Sequence, residues 1–160
     1  MGAKVVIIMG SKSDIEFAQK IKSALSTYLI SVEMRIASAH RNPEYLLRLL
    51  REYASKGDST VFITVAGLSD ALSGVVAAQR LFPVIACPPD LERYQLSKVF
   101  SSAFTPSDVP VAFVSDPSKA AHFAAQILAL GDGTLLKTIR EMTQTKRDQI
   151  EQEDARLNQA

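Results

Sequence analysis

His40 and Arg41 stand side by side in Ser38-Ala39-His40-Arg41-Asn42-Pro43, where an imidazole and a guanidinium can supply a proton carrier and an anion clamp from one turn. An imidazole has an ordinary pKa of about 6.5, which suits it to take up and return a proton near neutral pH. The residues around the pair read as a strand-to-helix turn. Asn42 fits a helix cap, and Pro43 fits the first helical position, where its missing N–H costs nothing. The other histidine, His122, falls in an alanine-rich helical run without comparable neighbours. A local role remains open for the same two residues, with His40 bonded within its own turn and Arg41 a surface charge.

Two further turns carry polar groups of the right kind. Gly10-Ser11-Lys12-Ser13-Asp14 offers hydroxyls, a carboxylate and backbone N–H groups at a helix start, a natural place for an anion or a ribose. The same residues also fit a capping box, Ser13 with Glu16. Neither a Walker loop nor a GxGxxG fingerprint is present. In Ala66-Gly67-Leu68-Ser69-Asp70-Ala71-Leu72-Ser73-Gly74, Gly67 permits close backbone approach, Ser69 stands where a cap belongs, and Gly74 suits tight packing. Cys87-Pro88-Pro89-Asp90 forms a rigid turn that could line the same cleft or be purely structural. Asp58 and Asp108 read as ordinary loop residues.

The elements that must position these turns alternate. Short apolar runs at residues 4–9, 30–36, 61–65, 83–86 and 111–114 read as buried strands. Helical spacing covers residues 15–28, 42–56 and 69–81, and a helix starting at Asp116-Pro117 runs to about 130. Strict alternation of this kind predicts an α/β fold, a three-layer, flavodoxin-like, doubly wound parallel sheet of order 2-1-3-4-5. Ligands of such sheets bind beyond the carboxyl ends of the strands, at the switch point between strands one and three. Gly131-Asp132-Gly133 then breaks the chain before an extra C-terminal helix whose apolar positions (Leu135, Leu136, Ile139, Met142, Ile150, Leu157) thin out. The reading is an α/β domain at residues 1–131 and a helical extension at 132–160 that packs on a neighbouring subunit.

Composition narrows the class. A net charge of +1 with no long Lys/Arg run argues against a nucleic-acid partner. One cysteine excludes an internal disulfide and a CxxC-type metal site. No signal-peptide pattern and no apolar run of about 18 residues is present, so the expectation is a cytoplasmic protein without a membrane partner.

Taken together, the motifs at 10–14, 38–43 and 66–74, in order and spaced by apolar strands over about residues 4 to 130, resemble the aminoimidazole ribonucleotide carboxylase and N-carboxyaminoimidazole ribonucleotide mutase family of purine biosynthesis. The mutase-type third motif reads Ala-Gly-Gly-Ala-Ala-His-Leu-Pro-Gly, whereas this chain has Ala71 and Ser73 in place of that histidine and proline. The segment at 69–74 is more similar to the Ser-Asn-Ala-Leu-Ser-Gly of the carbon-dioxide-using branch, with Asp70 in place of the asparagine, and the Cys-Pro-Pro turn also resembles that branch. The resemblance implies reversible carboxylation of 5-aminoimidazole ribonucleotide by carbon dioxide, with no cofactor and no metal. It implies His40 as the proton-transfer residue, Ser11, Asp14, Ser38 and Arg41 on the ribose and 5′-phosphate, and Gly67, Leu68 and Ser69 walling the base and carboxylate. Gly10, Ser13 and Ala39 complete the candidate substrate site. It also implies a homo-oligomer, a tetramer or octamer, with sites shared between subunits. The alternatives are a mutase that moves a carboxylate from the exocyclic amine, and a non-enzymatic flavodoxin-like module that binds a nucleotide.

Overall fold

Along β1 (Ala3–Met9) successive side chains enter opposite cores, because strand residues alternate between the two faces of a sheet. Val5, Ile7 and Met9 point to one side, and Val6 and Ile8 to the other. The computed structural model describes residues 2–79 and 81–158, the side chain of Tyr94 excepted. Its remaining strands are β2 (Ser31–Ile36), β3 (Ser59–Val65), β4 (Val84–Ala86) and β5 (Ala112–Phe113). All pair in parallel in the order β2-β1-β3-β4-β5, the flavodoxin-like order that the alternation predicts.

Helices cover both faces. On one side lie α1 (Ile15–Leu25), α5 (Pro117–Ala129) and the start of α6 (Gly133–Leu157). Ala120, Ala121, Ala124 and Ala125 of α5 are fully buried, and these small side chains let the helix lie close to the sheet. On the other side, α2 (Pro43–Lys56) contributes Leu46, Leu49, Leu50 and Tyr53, and α3 (Ala71–Ala77) contributes Leu72, Val76 and Ala77. Asn42 caps α2 by accepting from the Tyr45 N–H, with Pro43 in its first turn, and Asp116 with Pro117 does the same for α5.

The structure departs from the sequence reading in three of its helices. α1 is shorter than the apolar spacing predicts and is flanked by 3-10 turns at Lys12–Asp14 and Ser26–Tyr28. α3 spans 71–77 rather than 69–81, and Asp70, not Ser69, caps it by accepting from the Ser73 N–H. The periodicity assigns no element between Asp90 and Val111, yet α4 (Leu91–Ala103) lies there, bent at Gln95. Its pattern is inverted. Lys98 and Ser102 are buried while Leu96, Phe100 and Phe104 are exposed, so no apolar stripe announces a buried face. Gly74 is also not a tight contact, since a Cβ there would meet only Thr105 Cγ2, at 3.8 Å.

Away from the carboxyl edge of the sheet, a polar network ties α2 to β1 and β2. Lys4 pairs with Glu33 at 2.8 Å and with Asp58 at 3.4 Å, so Asp58 is more than a loop residue. The Tyr53 hydroxyl donates to Glu33 (2.5 Å), and Arg35 donates to the hydroxyls of Tyr53 and Tyr45. The hydrogen bonds from Lys4 and Tyr53 hold the Glu33 carboxyl below the ordinary carboxylate range. Burial, with the Glu33 carboxylate beside it, pushes the Tyr53 hydroxyl up to about 12.

Tyr53→Phe keeps the ring against Phe62, with centroids at 5.6 Å, and removes only the hydroxyl. Urea unfolding at neutral pH is expected to show a loss of about 1 kcal/mol. Because the folded pKa lies above the free value of 10.0, Tyr53's contribution is complete below pH 10 and fades as pH rises toward 12. The gap between wild type and variant should therefore close over that window. A gap independent of alkaline pH would show that the hydroxyl does not stabilise the fold in this way.

Candidate active site

Main-chain bonds continue the sheet past its strands and align the turns that follow them. The Ala37 N–H donates to the Met9 carbonyl, Gly10 to Val65 and Cys87 to Thr64, each at 2.9 Å. The turns after β1, β2, β3 and β4 therefore leave the sheet side by side at its carboxyl edge.

In the first turn, the Ser11 N–H donates to the Asp14 carboxylate at 2.9 Å, and the Ser11 hydroxyl accepts from the Ser13 N–H at 3.4 Å. The capping box is thus formed by Ser11 and Asp14, not by Ser13 and Glu16, because the chain makes a 3-10 turn before α1 begins. Asp14 is 6 % exposed. Burial raises its carboxyl above the usual range, Asp90 adds to the rise, and the Ser11 amide and the Lys98 ammonium oppose it. Gly10 and Gly67 face this carboxylate. A Cβ on either would meet an Asp14 oxygen at 3.8 or 3.7 Å, so ordinary contact, not a steric requirement of the backbone, is what a side chain would find there.

The second turn is closed by its own groups. The Ser38 hydroxyl accepts from the Arg41 N–H (3.2 Å), and the Ser38 carbonyl accepts from the Asn42 N–H (3.1 Å). These bonds project the exposed side chains of His40 and Arg41 from a fixed backbone.

The third turn contains a strained residue. Leu68 has φ 54°, left-handed backbone that a non-glycine residue adopts at a cost of order 1 kcal/mol or more. Two side chains of α4 hold the turn. The Lys98 ammonium donates to the carbonyls of Ala66 and Leu68, both at 2.5 Å, and the Ser101 hydroxyl accepts from the Asp70 N–H at 2.6 Å. Beneath it runs a buried relay in which Asp70 accepts from the Ser73 N–H and hydroxyl, and Ser73 bonds to the Thr64 hydroxyl at 2.7 Å.

Every residue that the sequence reading singles out for the site lines one cleft of about 470 Å³: Gly10, Ser11, Ser13 and Asp14, then Ser38, Ala39, His40 and Arg41, then Gly67, Leu68 and Ser69. Asp90, from the Pro-Pro turn, lines it too. Ala66 and Leu72 of the third motif, to which the sequence reading gives no role, also line the cleft, as does Arg93, and Lys98 braces it; the sequence reading misses Arg93 and Lys98. Arg93 and Lys98 lie on α4, and the one sequence signal for that helix is a run free of Gly and Pro from 91 to 105. His122 lies elsewhere, its Nδ1 2.8 Å from the Tyr28 hydroxyl. Cys87 is fully buried with its thiol pushed up to about 12 by that burial, which leaves it inert as a nucleophile. Among the described residues no group of three or more His, Cys, Asp or Glu could hold a metal ion.

The sequence profile described as AIR carboxylase matches residues 4–149. The chain belongs to the AIR carboxylase family. Its relatives include an Archaeoglobus fulgidus protein named phosphoribosylaminoimidazole carboxylase, 42 % identical over 98 % of this chain and 86 % of that one. A Methanocaldococcus jannaschii protein named N5-carboxyaminoimidazole ribonucleotide mutase is 36 % identical over 97 % of this chain and 98 % of that one. The crystal structure of Treponema denticola PurE is similar with a TM-score of 0.91 at 35 % identity, covering 97 % of this chain and 98 % of that one. The family thus includes proteins named for both chemistries.

The buried Asp14 of this family member generates a stability prediction. A carboxyl whose folded pKa lies above its free value of 3.8 contributes fully below that value and less as pH rises through the folded pKa, so its ionised form costs stability near neutrality. Asp14→Asn keeps an oxygen to accept from the Ser11 N–H and discards the charge. Thermal unfolding at pH 7 is expected to show a variant as stable as wild type or more so. A loss above about 1 kcal/mol would mean that the carboxylate is net stabilising.

Proposed function

We propose that this protein reversibly carboxylates 5-aminoimidazole ribonucleotide with carbon dioxide to give 4-carboxy-5-aminoimidazole ribonucleotide, a step of purine biosynthesis, with His40 as the proton-transfer residue. The observation that carries the reading is the convergence of the three motif turns on one cleft in which His40 is the one histidine. The substrate is an enamine. Its ring carbon 4 supplies the electron pair for the new carbon–carbon bond, and one C=O pair of carbon dioxide moves onto oxygen to leave a carboxylate. Carbon 4 then bears both hydrogen and carboxylate. Loss of that proton to His40 restores the aromatic ring, and its return from His40 drives the reverse reaction. Carbon dioxide is a poor ligand, so holding it over the ring in a confined cleft supplies much of the rate by removing bimolecular entropy.

The remaining cleft groups divide the substrate between them. Arg41 and the N–H groups of the first turn suit the 5′-phosphate. Ser11, Asp14 and Ser38 suit the ribose hydroxyls, with Gly10, Ser13 and Ala39 shaping the wall, and Gly67, Leu68 and Ser69 face the base and carboxylate. Ala71 and Ser73 favour carbon dioxide over a carboxyamine as carboxylate source, since a carbamate needs a charged partner once desolvated. Self-association fits the surface. Leu96 and Phe100 of α4 and Phe104 just after it are more than half exposed, and Ile150 and Leu157 of α6 are 67 % and 80 % exposed, so the helical extension is suited to pack on a second copy. No helix among the described residues is long and apolar enough to cross a membrane.

Stopped-flow assays with the free aminoimidazole ribonucleotide, started with carbon dioxide or with bicarbonate in the absence of carbonic anhydrase, test the reaction. An early burst with carbon dioxide alone is expected. Prompt use of freshly made carboxyamine, insensitive to carbon dioxide trapping, would move the protein to the mutase reading, and no turnover of either substrate would leave a binding module.

The roles of the second turn separate by kinetics. His40→Asn is expected to cut kcat by about 10²–10⁴-fold with nucleotide binding within a few-fold of wild type. Arg41→Ala is expected to raise KM, by about 1.5–3 kcal/mol of lost binding, more than it lowers kcat. More than a tenth of wild-type turnover in His40→Asn, or an unchanged KM in Arg41→Ala, would remove the respective assignment.

A further inference from the structure

Lys98 is 1 % exposed, and a buried lysine is rare because an ammonium loses much of its hydration on entering a protein interior. A buried charge seldom contributes net stability, since an apolar side chain of similar volume commonly serves the fold as well. The location of Lys98 therefore calls for a role beyond packing. Its Nζ lies 2.5 Å from each of two carbonyls, Ala66 and Leu68, which belong to the same turn. Two carbonyl dipoles aimed at one point repel unless a donor joins them. The residue between, Gly67, and the strained Leu68 (φ 54°) both wall the cleft. One helical turn further along α4, Ser101 takes the Asp70 N–H, so the same helix holds the turn at both ends.

The second observation is the charge around Lys98. Asp14 from the first turn, Asp70 from the cap of α3 and Asp90 from the start of α4 all act on its ammonium, opposing the loss of proton affinity that burial causes. Two of them, Asp14 and Asp90, line the cleft, as do Arg41 and Arg93. Without Lys98 the cleft and its immediate support would carry more negative than positive groups, which disfavours an anion.

We infer that Lys98 is a positioning residue of this cleft, holding the turn at 66–69 in the shape that walls the ligand and balancing Asp14, Asp70 and Asp90 so that an anionic ribonucleotide can enter. The inference rests on the ribonucleotide reading given above. Its two parts separate in kinetics, because the charge governs binding and the carbonyl staple governs the alignment needed for turnover.

Lys98→Met, close in length and uncharged, and Lys98→Met/Asp70→Asn, which removes one charge of each sign, are compared with wild type. Binding of 5-aminoimidazole ribonucleotide is read by calorimetry and turnover by product formation, with circular dichroism as the measure of folding. Lys98→Met is expected to bind about tenfold or more weakly and to turn over more slowly. The double variant is expected to recover most of the binding and little of the turnover. If Lys98→Met does not fold, a folded double variant that binds within a few-fold of wild type supports the charge balance. Wild-type binding and turnover in Lys98→Met, or a double variant that is unfolded or binds no better than the single one, would overturn the proposal. A wild-type protein that binds the ribonucleotide without converting it would sink the carboxylation reading, and the Lys98 comparison would then stand or fall on binding alone.

Discussion

Parallel pairing on both sides of β1 governs the site. In such a pair the hydrogen bonds are evenly spaced and slanted, so a rung can form between the residue that leaves one strand and the last residue of its neighbour. Ala37 reaching Met9, and Gly10 reaching Val65, are rungs of this kind. They convert three separate turns into neighbours whose backbones are fixed relative to one another by the sheet itself. A cleft built this way inherits the rigidity of the core, because Val5 to Ile8 and Val61 to Ile63 beneath it are almost wholly buried. The cost falls on backbone strain and buried charge, at Leu68, Asp14 and Lys98 rather than in the sheet.

Those charges explain one another. Asp14 is desolvated and would prefer its proton, yet Lys98 and the Ser11 amide act to keep it ionised. Lys98 is desolvated in turn, and the three aspartates act to keep it charged. Asp70 turns its two oxygens to the amide and hydroxyl of Ser73, so it reaches Lys98 through space and not through a shared hydrogen bond. A cluster of this sort adds little to the stability of the fold when every member is satisfied, and the large cost comes only from a change that leaves a buried partner without a hydrogen bond or a compensating charge. Such an arrangement is better suited to fixing a shape than to strengthening a core.

The parts of the molecule that were legible in the sequence are those where one local rule dominates. Asn42-Pro43 and Asp116-Pro117 mark helix starts through fixed φ and a side-chain acceptor, and the apolar runs at 4–9 and 61–65 mark strands buried on both faces. The errors fall where two local solutions have nearly equal energy. Ser11 with Asp14, or Ser13 with Glu16, can each cap the first helix, and the former wins because it also carries the chain into the cleft through a 3-10 turn. Ser69 and Asp70 compete for the cap of α3, and the carboxylate wins by accepting from both the amide and the hydroxyl of Ser73. α4 was illegible for a different reason. Its buried face carries Lys98 and Ser102 and its outer face carries Leu96 and Phe100, so hydrophobic periodicity, which presumes an apolar core, has no purchase on a helix that packs against a polar turn.

The inversion of α4 bears on what the cleft can hold. A helix with its polar groups inward commits them to the turn at 66–69, and a ligand cannot then draw on them. Two of the Lys98 donors lie on carbonyls, the Ser101 hydroxyl is occupied by the Asp70 amide, and the Asp70 carboxylate is occupied by Ser73. What the turn itself offers a ligand is backbone and the exposed hydroxyl of Ser69, with no charged side chain of its own directed at the cleft. If the carboxylate lies against this turn as proposed, a carbamate would bring a full negative charge to it and the turn itself would supply no cation to replace its lost water. Carbon dioxide brings no charge, and the charge appears only as the carbon–carbon bond forms, when backbone dipoles already in place can respond without reorganising. A wall of fixed dipoles with its cation withdrawn into the support is therefore more complementary to the forming carboxylate than to a carboxylate that arrives already ionised.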